Sequence, residues 1–105
     1  MRQFGLTLER TASQATLTVR SAVDRAHVDD LEVLFEQACH RHPAIIRVDL
    51  SAADLVDSSG LTAFVRWQEV ASRTGFHVLF LQPPEPVYEA LHSTNLDRVL
   101  TVQRS

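Results

Sequence analysis

Residues 57–61 read Asp-Ser-Ser-Gly-Leu and place two hydroxyl groups where a strand is predicted to pass into a helix. Residues 44–50 form an apolar run of strand length, and residues 61–73 carry apolar side chains at helical spacing. Ser58 and Ser59 should therefore lie near a helix N-terminus. Backbone amides there lack intrahelical partners, and the helix dipole adds roughly +0.5 charge. A serine at this position can cap the helix, or it can carry a phosphate that the helix end would tolerate.

Several other chemistries are excluded by residue types that the chain lacks. Its 10 Lys-plus-Arg residues are all Arg, so a P-loop lysine, a Schiff base and the lysine of response-regulator receivers are absent. The serine motif lacks the G-x-S-x-G pattern of a hydrolase nucleophile, and no positioned His base is evident, so we expect no enzyme activity.

Neighbouring residues on a helix point in different directions, so Cys39, His40 and His42 are not expected to bind a metal. No cofactor is expected.

Length and composition indicate one domain over residues 1–105. A chain of this size can bury a core without metal or disulfide support, and its single cysteine, expected in a buried helix position, excludes an intramolecular disulfide. The formal net charge of -3 disfavours a nucleic-acid surface, which usually needs a basic patch. No segment approaches the roughly 20 apolar residues that span a bilayer, and residues 1–20 lack the apolar run of a secretory signal. We expect a cytoplasmic monomer without membrane insertion or direct nucleic-acid binding.

Apolar periodicity divides the chain into alternating strands and helices. Two alternating segments at the start predict a hairpin beside the central sheet, and Pro43 is expected to stop the first helix. Gly75 is a predicted C-cap of the second helix, whereas Trp67 and Tyr88 are expected at the core margin. This order predicts an α/β domain with a mixed, largely parallel sheet of four to five strands packed with helices. The predicted strands are 3–9, 15–20, 45–50, 76–81 and 100–103, and the predicted helices are 27–42, 59–74 and a short one around 87–91.

Two motifs are similar to the signature of a known bacterial family. The series Val48-Asp49-Leu50-Ser51, followed by Val56-Asp57-Ser58-Ser59-Gly60-Leu61, resembles that of anti-sigma factor antagonists of the STAS family. Val23-Asp24 ahead of the first helix, residues 75–81 as the next strand and residues 93–100 near the end follow in the family's order. The resemblance covers nearly the whole chain. It implies the STAS architecture, which agrees with the predicted α/β arrangement.

The resemblance also implies how such a domain works. In this family the serine directly after the aspartate is phosphorylated, which is Ser58 here, with Ser59 as the neighbouring alternative. The implied partner is an anti-sigma factor with serine kinase activity, which binds the unmodified domain, phosphorylates it from its own ATP and releases it. Binding would free a sigma factor, and a phosphoserine phosphatase would reset the domain. The domain is then a substrate and a binding partner, not a catalyst.

The expected partner surface comprises the serine motif and one loop residue. Asp24 corresponds to the family's loop aspartate beside the phosphorylation site, although it and Asp57 equally fit helix caps. Gly60 would allow the backbone and a partner to approach closely, or would simply form a turn. The predicted partner-binding residues are Asp24, Asp57, Ser58, Ser59, Gly60 and Leu61.

Two other functions stay open on the sequence. The chain has Ser-Ala-Val-Asp at 21–24 where the family commonly has Gly-Glu-Leu-Asp, so its partner specificity can differ. One alternative is a STAS subunit of a lipid-transport ABC complex, which docks on the transporter ATPase without phosphorylation. The retained Asp-Ser-Ser-Gly motif favours the phosphorylated switch. The other alternative is an adaptor or small-ligand sensor with a pocket near Asp24 and Ser58. No specific residue of the sequence supports a ligand there.

Overall fold

The computed structural model describes residues 5–104, so the first residues of the predicted opening strand lie outside the described part. A hairpin opens the fold, and helices alternate with strands after it. The strands are β1 (Leu6–Arg10), β2 (Gln14–Val19), β3 (Ile45–Asp49), β4 (His77–Leu81) and β5 (Val102–Gln103). The helices are α1 (Val28–Cys39), α2 (Ser58–Thr74) and α3 (Glu85–Ser93), followed by a 3-10 turn at Leu96–Arg98.

The strands form one 5-stranded sheet in the order β1-β2-β3-β4-β5. β1 pairs antiparallel with β2, and each of the other neighbouring pairs is parallel. These pairings confirm the predicted α/β fold with a mixed, largely parallel sheet and an opening hairpin. The hairpin is part of this sheet rather than a separate layer beside it, because β2 pairs directly with β3.

The core lies between the sheet and the three helices. α3 contributes the buried residues Val87 and Leu91. Alternate strand residues such as Leu17 and Val48 are fully buried there, as the two-residue repeat of a strand requires. From the helices, Trp67 is only 2% exposed, and its ring stacks on that of Phe35 with centroids 4.5 Å apart and an interplanar angle of 3°. The predicted position of Trp67 at the core margin is wrong, because α1 packs against α2 and covers this ring. Tyr88 is half-buried, as predicted for the margin.

The ends of α1 and α2 have local causes. α1 ends at Cys39, earlier than the predicted residue 42, and His42 already has a left-handed backbone with φ of 49°. Cys39 is half-buried rather than buried. α2 ends at the predicted C-cap, because Gly75 adopts φ of 99° and its amide donates to the Ala71 carbonyl at 2.8 Å. Within residues 5–104, no helix is long and apolar enough to cross a membrane.

Candidate functional site

Asp57 joins the start of α2 to the loop before α1. It is the N-cap residue of α2, and its Oδ1 atom accepts a hydrogen bond of 3.1 Å from the Gly60 amide. Its Oδ2 atom accepts another of 3.2 Å from the Arg25 amide. The cap that the sequence allows at Asp57 is therefore present, and the same carboxylate also holds a loop from a distant part of the chain.

The loops that follow β2 and β3 run side by side at one end of the sheet. Val23 and Val56 form an isolated parallel bridge. The Val23 amide donates to the Leu55 carbonyl at 2.8 Å, and the Asp57 amide donates to the Val23 carbonyl at 3.1 Å. The carboxyl ends of parallel strands are where open α/β sheets commonly bind ligands. The bridge therefore brings Asp24, which follows Val23, to the same end of the sheet as the serine motif.

Gly60 lies where the first turn of α2 passes over this bridge. It is buried, and a Cβ atom added to it would lie 2.4 Å from the Val23 carbonyl oxygen and 2.6 Å from a Val56 methyl group. Cβ contacts under 3.0 Å are essentially never seen, so a larger residue would force α2 and the loop apart. The close approach that glycine permits is thus made within the chain, between α2 and the loop after β2.

Ser58 and Ser59 occupy the first two positions of α2 and differ in exposure. Ser58 is exposed and Ser59 is half-buried. Because Asp57 supplies the cap, neither serine is used as one, and within residues 5–104 the Ser58 hydroxyl has no hydrogen-bond partner. The amides of Gly60 and Leu61 both donate to Asp57. The amides of the two serines have no acceptor in the described part of the chain and can bind an added anionic group.

Asp24 closes the turn that leads into α1. Its Oδ1 atom accepts hydrogen bonds from the amides of Ala26 at 3.1 Å and His27 at 3.2 Å, and it lies 2.6 Å from His27 Nδ1. The hydrogen bond with the His27 ring lowers the pKa of the Asp24 carboxyl below its ordinary value. The N-cap residue of α1 is His27, and no side chain caps that helix. Asp24 thus caps the turn that leads into α1, and its carbonyl accepts a hydrogen bond of 2.8 Å from the amide of Val28, the first residue of that helix.

The two serines line a groove of about 290 Å³ between α1 and α2. Asp29 and Glu32 line it from α1, and Arg66 lines it from α2. Asp24 is not among the lining residues, so the structure brings its loop to Asp57 but not into this groove. The serine hydroxyls are therefore flanked by carboxylates from α1 rather than by the loop aspartate.

The six residues predicted to bind a partner are unequally accessible. Among them only Ser58 is exposed. Gly60 is buried, and Leu61 is half-buried against the core. The remaining three, which are half-buried, are Asp24, Asp57 and Ser59.

Sequence reasoning missed the α1 side of this site. Glu32 accepts hydrogen bonds from the Arg66 guanidinium and from Trp67 Nε1, so one carboxylate joins α1 to two residues of α2. The four-residue spacing of Ser58, Thr62 and Arg66 places them on one face of α2, and this signal could have identified Arg66. No comparable signal pairs Glu32 with that face, because the contact depends on how both helices pack on the sheet.

Cys39 lies at the C-terminal end of α1 and is half-buried. Among residues 5–104, no group of three or more His, Cys, Asp or Glu side chains is placed to hold a metal ion. Burial raises the pKa of the Cys39 thiol, with a smaller contribution from the nearby charge of Glu36. The thiol is therefore a poor nucleophile at neutral pH.

A family model described as "Mlab, STAS domain" matches residues 6–102. The chain therefore belongs to the STAS domain family, which confirms the resemblance seen in the sequence. Among curated proteins, no sequence matches the chain.

Several solved structures of anti-sigma factor antagonists share this fold. A candidate antagonist from Thermotoga maritima superposes with a TM-score of 0.84 at 18% identity, covering 95% of this chain and 86% of that one. An antagonist from Mycobacterium paratuberculosis has a TM-score of 0.80 at 22% identity, covering 95% and 85%. The antagonist SpoIIAA in its unphosphorylated form has a TM-score of 0.74 at 13% identity, covering 95% and 88%. At these identities the matches establish a common fold.

Proposed function

We propose that the chain is an anti-sigma factor antagonist that binds an anti-sigma factor with serine kinase activity and is released when Ser58 is phosphorylated. One observation carries the proposal: Ser58 is exposed at the start of α2, while Asp57 performs the capping that would otherwise occupy a serine there. Its hydroxyl is therefore free to accept a phosphate. The fold shared with anti-sigma factor antagonists, one of them described in an unphosphorylated form, supports the same assignment.

The proposed reaction transfers the γ-phosphoryl group of the kinase's ATP to Ser58. The Oγ atom forms a bond to the γ-phosphorus, the bond from that phosphorus to the oxygen bridging the β-phosphate breaks, and ADP leaves. The hydroxyl proton passes to a base supplied by the kinase. The antagonist contributes the acceptor and its position. The free amides of Ser58 and Ser59, at the positive end of α2, can then bind the phosphate.

Phosphorylation changes the charge at the centre of the proposed interface. The phosphate adds about −1.5 to −2 charges where a neutral hydroxyl stood. In the complex it faces the nucleotide phosphates of the kinase, because the γ-phosphorus must reach Ser58 for transfer, and Asp29 and Glu32 line the same groove. Like charges brought together cost several kcal/mol, and each step of about 1.4 kcal/mol lowers affinity tenfold. The complex is therefore weakened by orders of magnitude while the fold stays intact.

This scheme defines the partners of the chain. Binding of the unmodified form occupies the anti-sigma factor and frees a sigma factor, which raises transcription from the genes that the sigma factor serves. A phosphoserine phosphatase returns the chain to its binding form. The chain acts as a monomeric cytoplasmic binding protein and not as an enzyme, since the kinase supplies the nucleotide and the base.

Purified anti-sigma factors with kinase domains from the native host provide the test. Each is incubated with ATP and the wild-type chain, Ser58→Ala or the matched variant Ser59→Ala, and phosphorylation is located by mass spectrometry. We expect phosphate in wild type and Ser59→Ala and none in Ser58→Ala. The affinity measured by calorimetry should fall at least about tenfold for Ser58→Glu. Phosphate incorporated equally by both alanine variants would contradict the assignment of Ser58.

Capture from host lysate separates this function from the transporter alternative. A STAS subunit of a lipid-transport ABC complex would retain the transporter ATPase equally on wild-type and Ser58→Glu baits, with Ser58 unmodified. That result would replace the anti-sigma assignment. Capture of an anti-sigma kinase by wild type but not by Ser58→Glu would support it.

A further inference from the structure

A larger, mainly apolar groove between α1 and α2 adjoins the groove beside Ser58, and the Glu32–Arg66 ion pair stands between the two. This second part has a volume of about 720 Å³, and Glu32 and Arg66 line both parts. Its lining includes the stacked rings of Phe35 and Trp67. We call the two parts together the α1–α2 groove. Its serine end lies at the start of α2, and Cys39 lines its other end.

The α1 side of the groove is acidic and carries an exposed apolar residue. The sequence of α1, VDDLEVLFEQAC, contains four acidic residues and no Lys or Arg. Glu32 pairs with Arg66, whereas Asp29, Asp30 and Glu36 form no ion pair within residues 5–104. Val33, on the same helix, lines the groove and is 41% exposed. Asp29 and Glu36 line the α1–α2 groove without an ion pair within residues 5–104, which makes this mainly apolar groove complementary to an amphipathic helix that carries basic residues.

We propose that the α1–α2 groove binds a basic amphipathic helix of the same anti-sigma factor that phosphorylates Ser58. This inference rests on the proposed function, because the groove adjoins the phosphorylation site. The apolar stripe of the partner helix covers Val33 and Val70, and its Arg or Lys residues face Asp29 and Glu36. Amphipathic helices commonly bind by laying their apolar face into a hydrophobic groove.

The proposed interface has two parts: the α1–α2 groove selects the partner, and Ser58 controls its release. The basic helix meets carboxylates that phosphorylation does not alter, so the groove sets which anti-sigma factor binds and how the association depends on salt. Ser58 meets the nucleotide end of the partner, where the added phosphate opposes the phosphates of ADP. The charges of the groove therefore attract the partner, and the charge at Ser58 controls its departure.

Two groove variants and two matched controls test this proposal on the full chain. Val33→Arg and Glu36→Lys reverse the character of the groove at exposed positions, and Val99→Arg and Glu89→Lys make the same changes at exposed positions elsewhere. Affinity for the purified anti-sigma factor is measured by calorimetry at low and physiological salt. We expect the groove variants to bind at least about tenfold more weakly and the controls to stay within about twofold. The affinity of Glu36→Lys should also depend less steeply on salt than that of wild type.

Cys39 supplies a readout that needs no substitution. It is the only cysteine and it lines the groove, so its alkylation by iodoacetamide at alkaline pH, where more of the thiol is ionised, should slow when the anti-sigma factor is bound, as followed by mass spectrometry. Unchanged affinity of both groove variants overturns the proposal. The proposal is also overturned if the groove variants lose affinity while Cys39 of the bound wild-type chain is alkylated as fast as in the free chain. The substitutions would then act away from the groove.

The same measurements distinguish the two proposals. If no anti-sigma factor binds the wild-type chain, the proposed function fails and the groove proposal fails with it. If an anti-sigma factor binds and phosphorylates Ser58 while Val33→Arg and Glu36→Lys behave as wild type, only the groove proposal fails.

Discussion

The carboxylate of Asp57 accepts a hydrogen bond from the backbone amide of Arg25 at 3.2 Å, although the two residues are 32 positions apart in the chain. This bond makes the loop before α1 and the first turn of α2 one unit. The Val23–Val56 bridge beside it adds backbone hydrogen bonds between the same two loops. Because Ser58 follows Asp57 directly, its position depends on both loops.

Replacing Asp57 by alanine removes the cap of α2 and the acceptor for Arg25 together. Loss of an N-cap costs about 0.5–2 kcal/mol, and an amide left without an acceptor adds to this. We expect the free energy of unfolding, measured by urea denaturation, to fall by about 1–3 kcal/mol. Asp57→Asn keeps one carbonyl oxygen and should lose less. The control is Asp54→Ala, at an exposed carboxylate, and an equal loss there would contradict the role of Asp57.

Gly60→Ala should destabilise the fold more than Gly75→Ala. At Gly60 the new methyl group would lie 2.4 Å from the Val23 carbonyl oxygen, and overpacking of this kind costs about 1–3 kcal/mol. At Gly75 nothing lies within 4 Å, so only the left-handed backbone is unfavourable, at about 1–2 kcal/mol. Urea denaturation of both variants measures the difference. The reverse order would mean that α2 can move away from the loop at little cost.

Phosphoserine at position 58 should leave the fold nearly as stable as before. A negative group in the first turn of a helix is stabilised by about 0.3–1 kcal/mol, which offsets repulsion from nearby carboxylates. Phosphoserine placed genetically at 58 should change the free energy of unfolding by less than about 1 kcal/mol, and at the half-buried position 59 it should destabilise more. Fluorescence of Trp67, the only tryptophan, follows the unfolding of both forms. A larger loss at 58 than at 59 would show that the helix start does not accommodate the phosphate.

Because the pKa of Asp24 is lowered in the folded state, the free energy of unfolding should decrease when Asp24 becomes protonated in acid. The His27 hydrogen bond favours the carboxylate, so the folded-state pKa lies below the ordinary value of 3.8. The stabilisation is therefore complete above that value and is lost as the pH falls through the folded-state pKa. His27→Ala should raise the Asp24 pKa, followed by NMR titration of its carboxyl carbon, and should reduce the acid dependence of unfolding below about pH 4. An unchanged Asp24 pKa in this variant would remove His27 as the cause.

Local pattern was sufficient for the features that depend on near neighbours in the chain. The Asp57 cap and the Gly75 C-cap are both where the residue types favour them, because a cap is formed by residues three or four positions apart. The end of α1 is less well predicted, since the pattern extends to residue 42 and the helix ends at Cys39. The prediction for Trp67 is wrong for another reason. Its ring is buried by contact with α1, and the periodicity of α2 does not reveal that contact.

The sequence by itself determined the alternating α/β order, the opening hairpin and the position of the serines at a helix start, because the repeats of strands and helices and the residue types of caps are local. Only the tertiary structure decided that Asp57 also binds Arg25 and that Gly60 packs on Val23. It also decided that acidic residues of α1 line the groove beside Ser58. These contacts join residues from separate loops and helices, so their distances are set by how α1 and α2 pack on the sheet.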